Sequence, residues 1–270
     1  MFICIKSVEN EVRAFHDCYD DDDFLRKPEG EDCRRREAKR GMFPYIAGIE
    51  TEIETFYGLR TAECTGTIIA ARWILTAGHC LKIEHYITTR VRYTVGEINI
   101  LRNLKPALRY VVHPNYSFER TYVLFIPTDV VHDDIGLIKT KEEIQFDKFI
   151  TNVCISSNDQ LSANPVCFVA GFGKLVDPLE VTYEKSYLLH FATLDYTEER
   201  PIIPNTIELS VKGKYPSLGD SGGPLMCDGK QIGIFSKVGA SLNQAKLTYT
   251  QCGKYKNWIE SITGTKVLDT

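Results

Sequence analysis

The sequence predicts an all-β protein, a barrel or a sandwich, on three observations. Short runs rich in β-branched and aromatic residues recur along it, among them Thr67-Ile68-Ile69, Trp73-Ile74-Leu75-Thr76, Tyr110-Val111-Val112 and Ile232-Gly233-Ile234-Phe235. Such residues suit a pleated, half-buried surface, and the glycine, proline and asparagine between the runs suit tight turns. The 270 residues, 43% hydrophobic and 25% charged, are enough for one large β domain or two small ones.

The first forty residues differ from the rest. Asp20-Asp21-Asp22-Asp23 is acidic, Lys27-Pro28-Glu29-Gly30 follows, and Arg34-Arg35-Arg36 with Lys39-Arg40 forms a basic cluster. A stretch so charged and so poor in apolar side chains buries too little surface to offset its chain entropy. Residues 1–40 therefore read as an N-terminal extension, a propeptide or a solvated tail, and the folded domain is expected over 41–265. A net charge of -4 argues against a nucleic-acid partner, and no apolar run approaches the roughly eighteen residues of a membrane span.

Three segments carry chemistry. In Gly219-Asp220-Ser221-Gly222-Gly223-Pro224-Leu225 a serine stands between glycines that leave its hydroxyl and the nearby backbone N–H groups open to a substrate carbonyl. A serine hydroxyl is a weak nucleophile at neutral pH and needs a base, an orienter for that base, and donors for the oxyanion. The Gly-x-Ser-x-Gly pattern also fits a hydrolase elbow, whose histidine follows the serine. Chain order excludes that reading: His16, His79, His85, His113, His132 and His190 all precede Ser221. His79 ends the apolar run Trp73-Ile74-Leu75-Thr76-Ala77-Gly78-His79-Cys80, and Asp134 lies in Asp133-Asp134-Ile135-Gly136-Leu137-Ile138-Lys139, a carboxylate ahead of an apolar strand.

In that order the chain resembles the chymotrypsin-like serine peptidases of the trypsin fold. The resemblance runs from about Gly41 to Ile262, through Phe43-Pro44-Tyr45 and the closing Tyr249-Thr250-Gln251-Cys252 with Tyr255, Trp258 and Ile259. It implies two antiparallel six-stranded barrels with a C-terminal helix from Tyr255 to Ile262, and an active site between the barrels. It assigns Ser221 as nucleophile, His79 as general base and Asp134 as its orienter, with the N–H groups of Gly219 and Ser221 as the oxyanion hole. Asp133 is expected in solvent, and Ser236 matches the serine that supports the buried carboxylate.

The resemblance also implies two disulfides, Cys64–Cys80 and Cys167–Cys227, the first tying the His79 loop to the strand before it. Cys154 matches a position that some relatives join to an N-terminal propeptide, which makes Cys18 or Cys33 its partner; Cys4, Cys252 and the remaining one of those two are unassigned. Nine cysteines point to an oxidising compartment, and because nine is odd at least one thiol is unpaired or joined to another chain. Met1-Phe2-Ile3-Cys4-Ile5 offers only five apolar residues before Lys6, short of a secretory signal. Asn115-Tyr116-Ser117 is a glycosylation sequon for an exported chain. No histidine pair has metal-ligand spacing and no Cys-x-x-Cys occurs, so neither metal nor cofactor is expected. His85, His113, His132 and His190 read as structural.

Some positions leave the family pattern. The apolar start freed by activation should fall near Asp32-Cys33-Arg34-Arg35, which has neither the apolar pair nor the glycines, so an ammonium partner for Asp220 is not identifiable in the sequence. Ser217 stands where a cysteine usually braces the specificity pocket, a bond whose removal costs about 2–5 kcal/mol in a small secreted domain. Tyr215 occupies the pocket floor where trypsins carry aspartate, Val238 and Leu247 replace wall glycines, and Lys237 replaces a tryptophan. The reading that follows is a secreted serine endopeptidase without trypsin-like specificity. Its alternative is a non-catalytic homologue acting as a binding or regulatory protein. A protein or peptide substrate, a protein inhibitor and an activating protease are the expected partners.

Overall fold

The computed structural model describes residues 36–123, 126–156, 165–173, 187–194, 198–199, 201–211, 216, 219–241 and 244–266. After the two-residue strand β1 (Arg36–Glu37) come β2 (Ile46–Thr55), β3 (Gly58–Ala70), β4 (Trp73–Thr76), β5 (Ile87–Val95) and β6 (Lys105–Val112). A hairpin, β7 (Ser117–Val123) and β8 (Ile126–His132), leads into β9 (Gly136–Thr140). The second half holds β10 (Cys167–Gly171), β11 (His190–Leu194), β12 (Glu198–Glu199), β13 (Thr206–Val211), β14 (Pro224–Cys227), β15 (Lys230–Ser241) and β16 (Gln244–Gln251). The helix α1 (Lys256–Thr263) follows.

Strands β2-β3-β4-β9-β6-β5 close into a barrel. Ile49, Ile68, Ile74, Leu75, Leu137 and Ile138 fill it and are completely buried. β4 carries apolar residues on consecutive positions because all four of its residues are buried, so both of its faces are covered. Further out, β2 and β5 place Glu50 opposite Arg92 and Glu52 opposite Arg90, and both pairs form ion pairs across the strands.

The sequence led us to expect a second six-stranded barrel. Among the described residues the second half is instead an open eight-stranded sheet, ordered β1-β11-β10-β14-β15-β16-β13-β12. Its ends do not meet because β1 pairs only with β11 at one edge and β12 only with β13 at the other. Residues 36–38, inside the segment read as an extension, thus lie on the domain: Arg36 is opposite Phe191, Ala38 is buried, and its N–H reaches Leu189 O at 2.8 Å.

The expected helix forms within a residue of its predicted limits. Gly264 ends it in the left-handed region at φ 66°, donating its N–H to Glu260 O, the usual way a helix terminus satisfies a late carbonyl. Tyr255 and Ile259 join Ile74, Leu137 and Ile234 in one apolar cluster, so the chain's last helix packs on the first barrel. The His113 ring meets Tyr255 and Trp258 edge-on at 5.2 and 5.0 Å, consistent with a structural histidine.

The predicted disulfides Cys64–Cys80 and Cys167–Cys227 are present, the second joining directly opposed residues of β10 and β14. Cys154 is also disulfide-bonded; its expected partners Cys18 and Cys33, like Cys4, lie outside the described residues.

Gly222 lies where the two halves touch most closely. A Cβ there would sit 2.1 Å from Thr76 Oγ1 and 2.3 Å from Thr65 O, at a φ of +80°. Gly222→Ala should therefore lower unfolding free energy by about 3 kcal/mol or more, combining overpacking with backbone strain. Gly264→Ala, at a similar φ but with nothing within 4 Å, should cost about 1 kcal/mol. Urea denaturation of the two variants under non-reducing conditions measures the difference.

Candidate active site

Strand pairing brings His79 and Asp134 together. β4 and β9 run antiparallel with Thr76 opposite Gly136, so the residues after β4 and those before β9 emerge at the same end of the barrel. His79 lies there in a 3-10 turn, Gly78–Cys80, held by the disulfide to Cys64 on β3. Gly78 permits the approach: a Cβ would be 3.1 Å from the side chains of Tyr116 and Val112 and 3.3 Å from Asp134 Oδ1.

Asp134 is 2% exposed, and its carboxylate is satisfied from three directions. Oδ1 accepts the His79 backbone N–H at 2.8 Å; Oδ2 lies 2.8 Å from His79 Nδ1 and accepts Ser236 Oγ–H at 2.6 Å. Its backbone carbonyl accepts Thr250 Oγ1–H at 2.9 Å. Burial pushes the Asp134 pKa up, but the charge and hydrogen bond of His79 and the Ser236 hydroxyl outweigh it and hold the carboxyl below its ordinary 3.8. Burial likewise pulls His79 down, and the Asp134 carboxylate overrides it, leaving the imidazole above 6.5. With Nδ1 facing a carboxylate the ring proton belongs on Nδ1, and Nε2 keeps its lone pair.

Asp133 is not the solvated neighbour the sequence suggested. It takes a left-handed φ of 47°, and Oδ1 accepts the Tyr255 hydroxyl at 2.7 Å.

Ser221 arrives by the same logic from the second half. β14 and β15 pair Pro224 with Ile234, so the residues before β14 and those after Ile234 share one end. Gly222 N–H donates to Phe235 O at 2.7 Å and Phe235 N–H to Gly223 O at 2.8 Å, which ties the residues after Ser221 to the strand that carries Ser236. Gly219 has φ +101°, and a Cβ there would meet Phe172 O and Gly173 Cα at 2.8 Å. Among the described residues, the N–H groups of Gly219 and Ser221 meet no acceptor, and Ser221 Oγ makes no hydrogen bond.

Asp220 is buried, and its carboxylate accepts Gly173 N–H at 2.9 Å. It occupies space that only glycine leaves, since a Cβ on Gly173 would lie 2.2 Å and one on Gly171 2.4 Å from its oxygens. A backbone donor thus reaches the carboxylate for which the sequence offered no ammonium.

The residues assigned to the pocket separate. Leu247 is completely buried among Leu209, Phe235 and Tyr249, while Val238, opposite it on β15, is 40% exposed. Lys237 is half-buried and donates Nζ–H to Asp129 O, linking β15 to the β7–β8 hairpin. Burial lowers its pKa, partly offset by Glu208 and Asp129. Tyr215 and Ser217 lie outside the described residues. Cys64, Cys80 and His79 present ligand atoms within 4.8 Å of one another, but the two sulfurs are bonded together and offer no thiolate to a metal.

The sequence profile described as Trypsin matches residues 33–259. The chain belongs to the trypsin family. It is 31% identical over 208 residues to a protein C activator of Agkistrodon piscivorus leucostoma, covering 74% of this chain and 77% of that protein. Similarity extends to the platelet-aggregating proteinase PA-BJ of Bothrops jararaca, 29% identical over 82% of this chain and 93% of the relative. Kallikrein-11 of Mus musculus is 25% identical over 74% of this chain and 72% of its own length. Among solved structures, HL collagenase superimposes with a TM-score of 0.67 at 24% identity, covering 87% of this chain and 99% of that one, which supports the fold.

Sequence motifs located the three boxes of this family member but gave no role at the site to Thr65, or to Thr250 and Tyr255 of the closing segment, whose bonds to it span 154, 116 and 122 positions. No local pattern announces a partner so distant.

Because His79 titrates above 6.5 when folded, its pairing stabilises the protein fully below that pH and loses this as pH rises through the folded pKa. Asp134, held below 3.8, contributes above that value and loses its share as pH falls. Stability from the pair should therefore peak between the two folded pKa values. In Asp134→Asn the peak should flatten and the His79 pKa should fall below 6.5, as followed by proton NMR of the ring.

Proposed function

We propose that the protein is a serine endopeptidase in which Ser221, His79 and Asp134 form the catalytic triad. The observation that carries this reading is the buried Asp134 carboxylate bonded to His79 Nδ1 at 2.8 Å, which leaves Nε2 as a base. His79 Nε2 takes the proton from Ser221 Oγ as the oxygen attacks the scissile carbonyl. The developing oxyanion is received by the unengaged N–H groups of Gly219 and Ser221. Collapse of the tetrahedral intermediate breaks the C–N bond, with His79 returning the proton to the leaving amine. Water then enters as nucleophile, again with His79 as base, and frees Ser221. The Ser221–His79 hydrogen bond forms when substrate is seated, as catalytic contacts often tighten only in the complex.

Membership of the trypsin family and relatives named as proteinases support a protein or peptide substrate. The disulfides, and a relative from Gloydius ussuriensis named as a snake venom serine protease, support an extracellular setting, and among the described residues no helix is long and apolar enough to cross a membrane. Residues 1–40 act as the N-terminal extension of a peptidase domain over 41–265, whose activating protease cuts within it and whose activity a protein inhibitor restrains. The pocket that the family pattern assigns to Tyr215, Ser236, Lys237 and Val238, with Leu247 packed in the core behind it, takes small side chains before the scissile bond.

A fluorophosphonate probe labels an activated serine with little regard to pocket shape. It should label the chain at Ser221 after limited proteolysis of 1–40 and leave Ser221→Ala unlabelled, with turnover in that variant down about 10⁶-fold. A folded, cleaved chain that takes no label would refute the enzyme and point to a binding or regulatory protein. In a peptide-library digest, cleavage after small residues is expected; cleavage after Arg or Lys would overturn the pocket. The acid limb of kcat/KM should fall above pH 6.5, because His79 must be neutral to act as base.

A further inference from the structure

We infer that the hydroxyl of Thr65 is a positioning element for the oxyanion hole, bracing the serine loop from the opposite half of the molecule. The inference rests on the peptidase reading above.

Thr65 lies on β3, next to the disulfide-bonded Cys64, and is completely buried. Its N–H donates to Ser221 O at 2.8 Å and its Oγ1–H to Gly219 O at 2.8 Å. Oγ1 in turn accepts Phe172 N–H at 3.0 Å, while Thr65 O accepts Thr76 Oγ1–H at 2.8 Å. Because Oγ1 already receives the Phe172 donor, its single proton must point at Gly219 O. The hydroxyl thus joins β3, the end of β10 and the serine loop at one buried point.

The effect on the loop follows from its backbone. Gly219 O is held by the Thr65 hydroxyl, Asp220 O by Gly223 N–H at 2.8 Å, and Ser221 O by Thr65 N–H. These three carbonyls fix three successive peptide planes, one of which carries the Ser221 N–H. Gly219 would otherwise turn easily, since it lacks a side chain and has φ +101°. Holding its carbonyl anchors the peptide plane on one side of its Cα, so the Gly219 N–H can turn only by moving the chain before it. Preorganised donors act because they need no reorientation as charge develops. The loop has more need of such a brace here, since Ser217 offers no cysteine to tie it.

Three variants test this. Thr65→Val keeps the shape and the backbone N–H but removes the hydroxyl; Thr65→Ala removes it without placing a methyl against Gly219 O, and serves if the valine variant does not fold. Thr65→Ser keeps the hydroxyl. Valine or alanine should lower kcat about 10- to 100-fold, less than the 10²–10³ of a lost direct donor, with KM within about twofold. Affinity for a peptide boronic acid, which forms a tetrahedral adduct, should weaken by a similar factor, and serine should rescue most of both losses. A loss confined to thermal stability, or one that serine does not rescue, would overturn the role. If wild type takes the fluorophosphonate and Thr65→Val takes it equally fast, the brace alone falls. If wild type takes none, the peptidase reading falls and the brace with it.

Discussion

The buried carboxylate of Asp134 is the constraint around which the two halves of this protein are assembled. A charge removed from water costs several kcal/mol unless it is paired and hydrogen-bonded, and removing one partner leaves that cost uncompensated. Asp134 starts on the barrel side, just before β9, and its imidazole partner, His79, also belongs to the barrel. The remaining donor to the carboxylate, Ser236 on β15, comes from the open sheet, as does Thr250 on β16, which holds the Asp134 backbone carbonyl. Neither half can satisfy the carboxylate alone, so its burial and the docking of the halves are one event.

Close backbone approach makes that docking possible. Gly222 sits where any side chain would strike Thr65 and Thr76, and Gly171 and Gly173 leave room for the Asp220 carboxylate. Apolar packing adds to it, since Ile234, Tyr255 and Ile259 from the second half share a cluster with Ile74 and Leu137 from the barrel. The helix that carries Ile259 ends the domain, so the last segment of the chain is fastened to the first barrel. Against this background Thr65 contributes directional bonds where hydrophobic contact alone would let the serine loop slide.

Electrostatics then divide the labour between the two titrating groups. Each is pulled by burial toward its neutral form and each is held charged, or chargeable, by the other. The outcome is an imidazole whose proton is fixed on the carboxylate side and whose second nitrogen remains basic. The same low dielectric that makes an unpaired Asp134 costly makes this orientation firm.

The sequence alone determined the all-β class and the order of histidine, aspartate and serine boxes, because each is encoded by short-range pattern, and the resemblance those boxes carry supplied two of the disulfides and the closing helix. Alternating and continuous apolar runs report strands, and small residues around His79 and Ser221 report tight turns. It could not decide whether the second half closes, since that depends on which strand edges meet, and β1 and β12 add to opposite edges. It misplaced Asp133, because the partner that draws this side chain from solvent, Tyr255, lies 122 positions away. Nor could it tell that Leu247 would be buried while Val238, opposite it on the same face of the sheet, is partly exposed, which depends on what packs over each. Above all it could not find Thr65, whose place between Ser221, Gly219 and Phe172 exists only once the barrel and the sheet have met, and whose hydroxyl gains its direction from donors and acceptors that tertiary structure alone brings within reach.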